Sequence, residues 1–261
     1  MLDFVQVLLS LVLGGTIGLL LGLLGGGGSI LAVPTLVYII GENVHSATGM
    51  SIAIVGAGAL LGAILHSRKG DVRLKSGILL GVASMLGAVP GVWLNRAVVG
   101  ETILLLFSVL MIIIAINLLR SKPSNQKPET GSPCKLYTSK DWLKITAIGL
   151  LVGLLTGFFG VGGGFIIVPA LVLVANFPAH QAVGTSLLVI FMTSFSGFLG
   201  NLVFGGLDFT IVLIFVVGGA VGILSGTALA SRVSGRTLNR TFSLFIICMA
   251  LYLIYTNAFN L

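Results

Sequence analysis

Residues 22–51 read GLLGGGGSILAVPTLVYIIGENVHSATGMS, and this stretch decides the fold because it occurs twice in the chain of 261 residues. The second copy, GFFGVGGGFIIVPALVLVANFPAHQAVGTS, occupies residues 157–186, at a constant offset of 135 residues and without a gap. Twelve of the thirty positions are identical, whereas a composition this rich in Gly, Leu and Val gives roughly three or four identities by chance. The chain therefore contains two copies of one unit.

The composition is that of a membrane protein. Hydrophobic residues make up 56% of the chain and charged residues 8%, and the mean hydropathy is +1.15. A soluble domain has roughly 25% charged residues, so a water-soluble protein is excluded. Each long apolar run is close to the roughly 20 residues that cross a bilayer as a helix. The runs are residues 4–24, 47–65, 76–95, 102–119, 143–159, 182–203, 209–230 and 241–256.

Two further apolar runs, residues 29–40 and 165–175, are expected to be half-length or tilted segments. As helices they would rise only about 16–18 Å, against a hydrocarbon core of roughly 30 Å. Consecutive glycines lie beside both runs, at 25–28 and 162–164, and predict that the helix breaks there. Scattered glycines such as Gly56 and Gly62 are instead expected to let helices pack closely.

The predicted fold is an all-α integral membrane protein with two inverted-topology repeats. Each repeat has about four full spans and one short or broken helix, which gives about 8–10 transmembrane segments. The predicted domains are repeat 1 at residues 1–120, a linker at 121–141 and repeat 2 at 142–261.

Positive charge is concentrated in three loops. All fourteen Lys and Arg residues except Arg96 lie in or beside residues 66–75, the linker and residues 231–240. The positive-inside rule places these loops on the cytoplasmic side of the inner membrane. Charge dispersed in this way makes nucleic acid an unexpected partner. The linker, rich in Pro, Ser, Lys and Thr, is predicted to be a flexible connector.

The same charges predict that the copies are inserted upside down relative to each other. In the first copy the loop at 66–75 is basic and the loop at 95–101 is nearly neutral, whereas in the second copy 201–208 has no basic residue and 231–240 has three. This swap requires an odd number of crossings per copy, most simply five if the short segment counts as one. It places both termini outside. Many secondary transporters share this architecture, with substrate sites on broken helices at the repeat interface.

The glycine stretches are candidate anion sites. A helix that starts within the stretch containing Gly25, Gly27, Gly28 and Ser29 presents unpaired N–H groups and the positive end of its dipole. Residues 160–164 repeat this pattern in the second copy. Two such N-termini from inverted copies would form an anion cradle without formal charge. The alternative is that glycine only permits a tight turn between packed helices.

His45 and His180 occupy the same position in the two copies, each before an apolar helix. One or both are candidates to bind the substrate or to exchange protons with it, because imidazole titrates near neutral pH. The alternative is that each histidine caps the helix that follows it. The hydroxyl residues expected on the first turns of these helices are Thr48, Ser51, Thr185 and Ser186. They either offer hydroxyls to an anion or bond their own backbone. His66 has no histidine counterpart and is expected at the membrane interface.

The acidic residues favour an anionic or neutral substrate. All seven lie at predicted loops or termini, whereas a cation carrier normally places a carboxylate in mid-membrane. The sequence contains neither a Cys, His and carboxylate cluster with metal-ligand spacing nor a nucleotide-binding Gly-Lys-Ser/Thr loop. We therefore expect no metal and no cofactor.

The doubled motif, GLLGGGGSILAVP and GFFGVGGGFIIVP, each followed by a His and then by ATGMS or AVGTS, resembles the TauE/SafE family of membrane permeases. The resemblance covers nearly the whole chain except the linker. It implies a multi-pass inner-membrane transporter of sulfite, organosulfonates or related anions. The family's site residues would fall on Gly25, Gly27, Gly28, His45, Thr48 and Ser51 and on Gly160, Gly162, Gly163, Gly164, His180, Thr185 and Ser186.

The expected function is alternating-access transport in the lipid bilayer, either uncoupled or with protons as a candidate coupling ion. A passive anion channel is the nearest alternative, because helix dipoles also build filters. An intramembrane enzyme would need Ser186 or Ser225 with His180, but neither serine lies in a GxSxG-type motif, so no enzymatic activity is expected. A non-transporting subunit would need a large docking loop. Substrate identity, transport direction and assembly into a homo-oligomer stay open.

Overall fold

A computed structural model describes residues 4–120, 139–160, 164–173 and 177–230, together with 233, 237, 240, 244, 246–252 and 255. Within these ranges the regular elements are helices. They are α1 (Phe4–Leu24), α2 (Gly27–Pro34), which continues as a π-helix (Thr35–Ile40), α3 (Val44–Arg68), α4 (Leu74–Ala97), α5 (Gly100–Arg120), α6 (Ser139–Phe159), α7 (Gly164–Leu173), α8 (Ala179–Leu202) and α9 (Phe209–Ala230).

The lengths of these helices confirm an all-α membrane protein. Within the described residues, five are long and apolar enough to cross a bilayer, namely Gln6–Leu24, Val44–Arg68, Leu74–Ala97, His180–Leu202 and Phe209–Ala230. Large apolar side chains on their outer faces remain exposed, for example Leu86 at 67% and Val221 at 69%. A soluble protein would bury such side chains, whereas lipid solvates them. Of the predicted run 241–256, the structure describes residues 244, 246–252 and 255. The predicted linker, residues 121–141, lies outside the described residues as far as residue 138, and α6 begins at Ser139.

In both copies the helix breaks at the glycine stretch, as predicted. α1 ends at Leu24 and α2 begins at Gly27, while α6 ends at Phe159 and α7 begins at Gly164. Gly25 and Gly160, which correspond under the repeat, adopt left-handed φ values of +73° and +71°, a conformation that costs other residues about 1–2 kcal/mol. The same backbone hydrogen bond precedes each break, from Gly25 N to Leu21 O and from Gly160 N to Thr156 O, both 2.9 Å.

Close helix pairs form between the two copies. α1 packs along α9, and α6 packs along α4. Glycines at every fourth position bring the backbones together, so that Gly18 lies against Gly219 and Gly153 against Ser84. Such small-residue stripes allow close approach in lipid, where van der Waals packing drives helix association. The stripe in α1 is Gly14, Gly18 and Gly22, and the stripe in α6 is Gly149, Gly153 and Gly157, each 135 residues further on.

The two central helices run in opposite directions. α3 and α8 bury a larger share of their residues than α1 or α9 does. Gly56 of α3 packs against Ser194 of α8, and Gly62 packs against Leu187. The contact thus moves toward the start of α8 as it moves toward the end of α3. α3 and α8, which occupy corresponding positions in the duplicated sequence, are therefore antiparallel.

His66 lies in the last turn of α3, and its side chain is buried within the protein. The side chain is 2% exposed, and its Nε2 lies 3.3 Å from the carbonyl oxygen of Gly22. A Cβ built on Gly184 would lie 3.1 Å from the His66 Cβ, so α8 and the end of α3 are in close contact here. The last turn of α1 needs an external donor because its carbonyls have no intrahelical partner, and His66 provides one.

Candidate functional site

The two glycine breaks meet each other inside the protein. A Cβ built on Gly164, the first residue of α7, would lie 2.5 Å from the Cα of Gly26, and a Cβ built on Gly26 would overlap the backbone of Gly164. This contact leaves no room for any side chain at either position. The start of α2 in the first copy therefore touches the start of α7 in the second.

Each break also touches the central helix of the other copy. A Cβ built on Gly25 would lie 2.8 Å from Ser186 Oγ and 2.9 Å from Val183 Cα, both on α8. In the same way, a Cβ on Gly160 would lie 2.6 Å from the Cα of Thr48 on α3. Thr48 and Val183 occupy the same repeat position. Ser186 follows the start of α8 at Ala179 by about 10 Å of helix rise, so the first break contacts α8 about two turns after its start.

The first turn of α2 presents backbone donors at this junction. The amide of Ser29 donates to Gly26 O at 3.2 Å, and the hydroxyl of Ser29 donates to the same oxygen at 2.6 Å. In the described part of the chain, the amides of Gly27 and Gly28 have no acceptor. Unpaired N–H groups at a helix start suit the oxygens of an anion. Gly162 and Gly163, which were predicted to supply the matching donors, lie outside the described residues.

The predicted hydroxyls differ in what they already bond. Thr48 Oγ1 donates to Val44 O at 2.6 Å, and Ser186 Oγ donates to Val183 O at 2.7 Å. Thr185 Oγ1 accepts a hydrogen bond of 3.0 Å from Arg73 N in the loop after α3. Ser51 is fully buried, and its Oγ has no partner among the described residues. Ser51 therefore differs from its repeat counterpart Ser186 in having an uncommitted hydroxyl.

The histidines bond different groups although they correspond under the repeat. His45 Nδ1 lies 3.0 Å from Asn95 Oδ1, and His180 Nε2 lies 3.3 Å from Ala230 O. Helix α3 is capped by Asn43, whose side-chain oxygen accepts from Ser46 N at 2.9 Å, so His45 is not its cap. The imidazole of His45 is therefore not used to cap α3.

The serines considered for catalysis are bonded within their own helices. Ser225 Oγ donates to Val221 O and lies 3.0 Å from Gly222 O, while Ser186 bonds Val183. His180 bonds the carbonyl of Ala230. Neither serine is hydrogen-bonded to this histidine.

Two groups near the site were not predicted from the sequence. Asn95, 1% exposed, donates from Nδ2 to Phe158 O at 2.7 Å. It could have been noticed as a polar residue near the end of an apolar helix whose repeat counterpart is Ala230. The second group is the loop after α3, where Arg73 Nε donates to Gln181 Oε1 at 2.7 Å and the guanidinium lies 4.5 Å from the Phe177 ring.

Known proteins similar to this chain are membrane transporters. A probable membrane transporter protein of Xylella fastidiosa is 38% identical over 245 residues, which are 93% of this chain and 92% of that protein. The probable membrane transporter protein YunE of Bacillus subtilis is 27% identical over 279 residues, covering 99% of this chain and 100% of that protein. No solved structure matches the chain. The family profile described as "Sulfite exporter TauE/SafE" matches residues 10–253, and the chain therefore belongs to this family of membrane transporters.

Proposed function

We propose that this protein is a secondary transporter that moves a small sulfur-containing anion, such as sulfite or an organosulfonate, across the inner membrane by alternating access. The family description names a sulfite exporter. The chemistry of the glycine junction is compatible with that cargo, because a sulfur oxyanion presents several hydrogen-bond acceptors around one centre. Import or export follows from gradients and coupling rather than from the site itself.

The observation that carries the proposal is the contact between Gly26 and Gly164. It joins the starts of two short helices that come from different copies, and both helix dipoles have their positive ends at this junction. Negative charge is stabilised there without a lysine or arginine in the site. The amides of Gly27 and Gly28, which have no acceptor among the described residues, add hydrogen-bond donors at the start of α2. On α3, the hydroxyl of Ser51, also without a partner among those residues, is a further candidate donor.

Among the acidic residues whose side chains the structure describes, none lies in the interior of a membrane-length helix. Glu42 and Asp71 lie in loops, Glu101 lies in the first turn of α5, and Asp208 precedes α9. A carboxylate in the site would repel an anion. This distribution supports an anionic cargo rather than a metal cation.

The packing supports two copies inserted in opposite directions, with a closure on each side. The loop after α3 closes one side, where Lys69 Nζ donates to Thr227 O at 2.8 Å. The loop after α8 closes the other, where Phe204 lies 5.3 Å from the Trp93 ring and 5.0 Å from the Arg96 guanidinium. Alternating access then requires these closures to open in turn.

The basic loops orient the transporter in this proposal. The closure containing Lys69 and Arg73 faces the cytoplasm together with the linker, and both termini are outside. Protons remain a candidate coupling ion, and a homo-oligomer is compatible with the exposed outer faces of the helices. A passive channel is disfavoured because the glycine junction is tightly packed rather than open.

Ligand-induced stabilisation of the purified protein tests the proposal. Sulfite, thiosulfate, sulfoacetate, taurine, sulfate and chloride are compared in a thermal unfolding assay. A ligand at about 100 times its Kd adds about 2.7 kcal/mol to the free energy of unfolding. We expect one of the sulfur anions to stabilise the fold and chloride to have no effect. Absence of stabilisation by every anion, with the protein shown to be folded, would contradict the proposed cargo.

A further inference from the structure

Asn95 joins three helices from both copies through one buried side chain. It lies near the end of α4, is 1% exposed, and contacts Phe158 O at the end of α6 and the ring of His45 at the start of α3. Phe158 O belongs to the last turn of α6, whose carbonyls lack intrahelical donors. Asn95 therefore satisfies a carbonyl directly before the second glycine break.

The carbonyl of Phe158 fixes the direction of both hydrogen bonds. A carbonyl oxygen can only accept, so the NH₂ group of Asn95 must face Phe158 and its Oδ1 must face His45. Oδ1 in turn can only accept, so Nδ1 of His45 must carry the proton. In a neutral ring, Nε2 of His45 is then left as an unprotonated acceptor, and this nitrogen has no partner among the residues described.

His180 is held in the opposite way. Its Nε2 contacts the carbonyl of Ala230 and must carry the proton, which leaves Nδ1 as the acceptor. Ala230 is the repeat counterpart of Asn95 and has no side-chain amide. The duplicated histidines thus present different ring nitrogens, and Asn95 is the residue that makes the difference.

The same side chain also holds the second glycine break in place. Gly160 follows Phe158 closely and packs against Thr48, which lies one helical turn after His45 on α3. Fixing Phe158 O and His45 together therefore fixes the distance between the end of α6 and the start of α3. In the first copy, the end of α1 is held differently, by His66 at Gly22 O.

We propose that Asn95 is a positioning residue for transport, which locks His45 in the Nδ1–H form and holds the second glycine break against α3. Its role in transport rests on the proposed function. The tautomer is independent of any substrate and is tested separately.

The first experiment is ¹⁵N NMR of protein labelled at histidine, under alkaline conditions in which imidazoles are neutral. The chain has three histidines, and a His45→Gln variant assigns the signal. We expect Nδ1 of His45 to be protonated in the wild type and the ring to move to the Nε2–H form in Asn95→Ala. An Nε2–H form of His45 in the wild type would overturn the proposal, even if every Asn95 variant failed to fold.

The second experiment measures transport by Asn95→Ala and Asn95→Asp in proteoliposomes with sulfite as the probe. Aspartate keeps an acceptor for His45 but loses the donor to Phe158, so it separates the two bonds. We expect maximal transport rates to fall about tenfold in both variants, with apparent affinity falling mainly in Asn95→Ala.

Asn201→Ala is the matched control. Asn201 is also 1% exposed, but its amide donates at 3.0 Å to Gly197 O in its own helix. We expect this variant to keep the wild-type tautomer of His45 and to lose less than about threefold in rate. Equal transport losses in Asn95→Ala and Asn201→Ala, with His45 unchanged in both, would reduce Asn95 to a merely buried polar residue and overturn the proposal. If no anion stabilises the wild-type protein against unfolding, that result would count against the proposed function alone, because the tautomer of His45 does not depend on a ligand.

Discussion

Gly25 and Gly160 combine a left-handed backbone with a tight contact across the two copies. Alanine at either position would have to adopt the unfavourable φ, which costs about 1–2 kcal/mol, and would overlap α8 or α3, which costs about 1–3 kcal/mol. We expect Gly25→Ala and Gly160→Ala each to lower the free energy of unfolding by roughly 2–5 kcal/mol. Chemical unfolding of the detergent-solubilised protein measures this loss.

A Gly70→Ala variant separates the cost of the left-handed backbone from the cost of the tight contact. Gly70 has a similar φ of +77°, but a Cβ there would meet nothing within 4 Å. Gly70→Ala should therefore cost only the conformational part, about 1–2 kcal/mol. Equal losses for Gly70 and Gly25 would mean that the contact between the copies is not tight.

Ser51 is expected to separate stability from binding. Its hydroxyl is buried without a partner among the described residues, so Ser51→Ala should leave the free energy of unfolding unchanged or slightly higher. If the hydroxyl contacts the anion, the variant should bind it about tenfold more weakly. Thermal unfolding with and without ligand gives both quantities.

Ser108→Ala provides the comparison for Ser51. Ser108 is equally buried, but its Oγ donates to Leu104 O at 2.8 Å within α5. Its replacement should cost about 0.5–1.5 kcal/mol of stability and leave anion binding intact. Unchanged binding in Ser51→Ala, together with a stability loss like that of Ser108→Ala, would assign Ser51 a structural role.

At the level of single residues, the repeat allowed the prediction of positions but not of partners. The glycines that turn the chain were predictable because two copies carry them and because few other residues adopt positive φ. The bonding of His45 was not predictable, since Asn95 is 50 residues away and its counterpart is alanine. Burial of His66 was missed because its partner Gly22 has no side chain to indicate a contact.

In the proposed transport cycle, opening of one side depends on the loop after α3. Arg73 contacts Gln181 and Phe177 through its side chain and Thr185 through its backbone. Arg73→Ala should loosen this closure and raise the hydrogen-exchange rate at the start of α8, by about tenfold for each 1.4 kcal/mol of lost interaction. Lys75→Ala, at an exposed position in the next turn, should leave the exchange rate unchanged. Equal effects of the two variants would show that general loss of charge, not the specific contacts, controls the closure.

The boundaries of the helices were predicted well from hydropathy, because each span must be apolar over the thickness of the bilayer. The first predicted run ended at residue 24, as α1 does, since glycines mark the break. The short run at 29–40 begins slightly earlier, at Gly27, and changes to π geometry after Pro34. Proline lacks the N–H group that an α-helix requires, but a sequence pattern alone does not distinguish a kink from a π-turn.

On the scale of the whole molecule, the antiparallel central helices and the charge of the loops predict the sidedness of the protein. Ser67 and Thr210 are both exposed and lie at the ends of α3 and α9 that belong to opposite closures. In a variant without the native cysteines, Ser67→Cys should react with a membrane-impermeant thiol reagent only from the cytoplasmic side. Thr210→Cys should react only from outside. Labelling of both from one side would contradict the inverted arrangement.

The pairing of α1 with α9 and of α4 with α6 could not be predicted, because it depends on packing between the two copies rather than on either copy alone. Glycine stripes indicate that a helix packs closely, but they do not name its neighbour. The arrangement matters for the proposed function because it brings the two glycine breaks together. Neither copy contains a complete junction by itself.

Counterflow of ³⁵S-labelled sulfite in proteoliposomes tests the central claim most directly, namely that this protein carries a sulfur anion through a site at the glycine junction. Vesicles loaded with unlabelled sulfite should accumulate the label transiently, with saturation as external sulfite rises, and Ser51→Ala should weaken the apparent affinity. Label that only equilibrates without an overshoot would indicate a channel. Absence of protein-dependent sulfite movement, with the protein folded and inserted, would contradict the account.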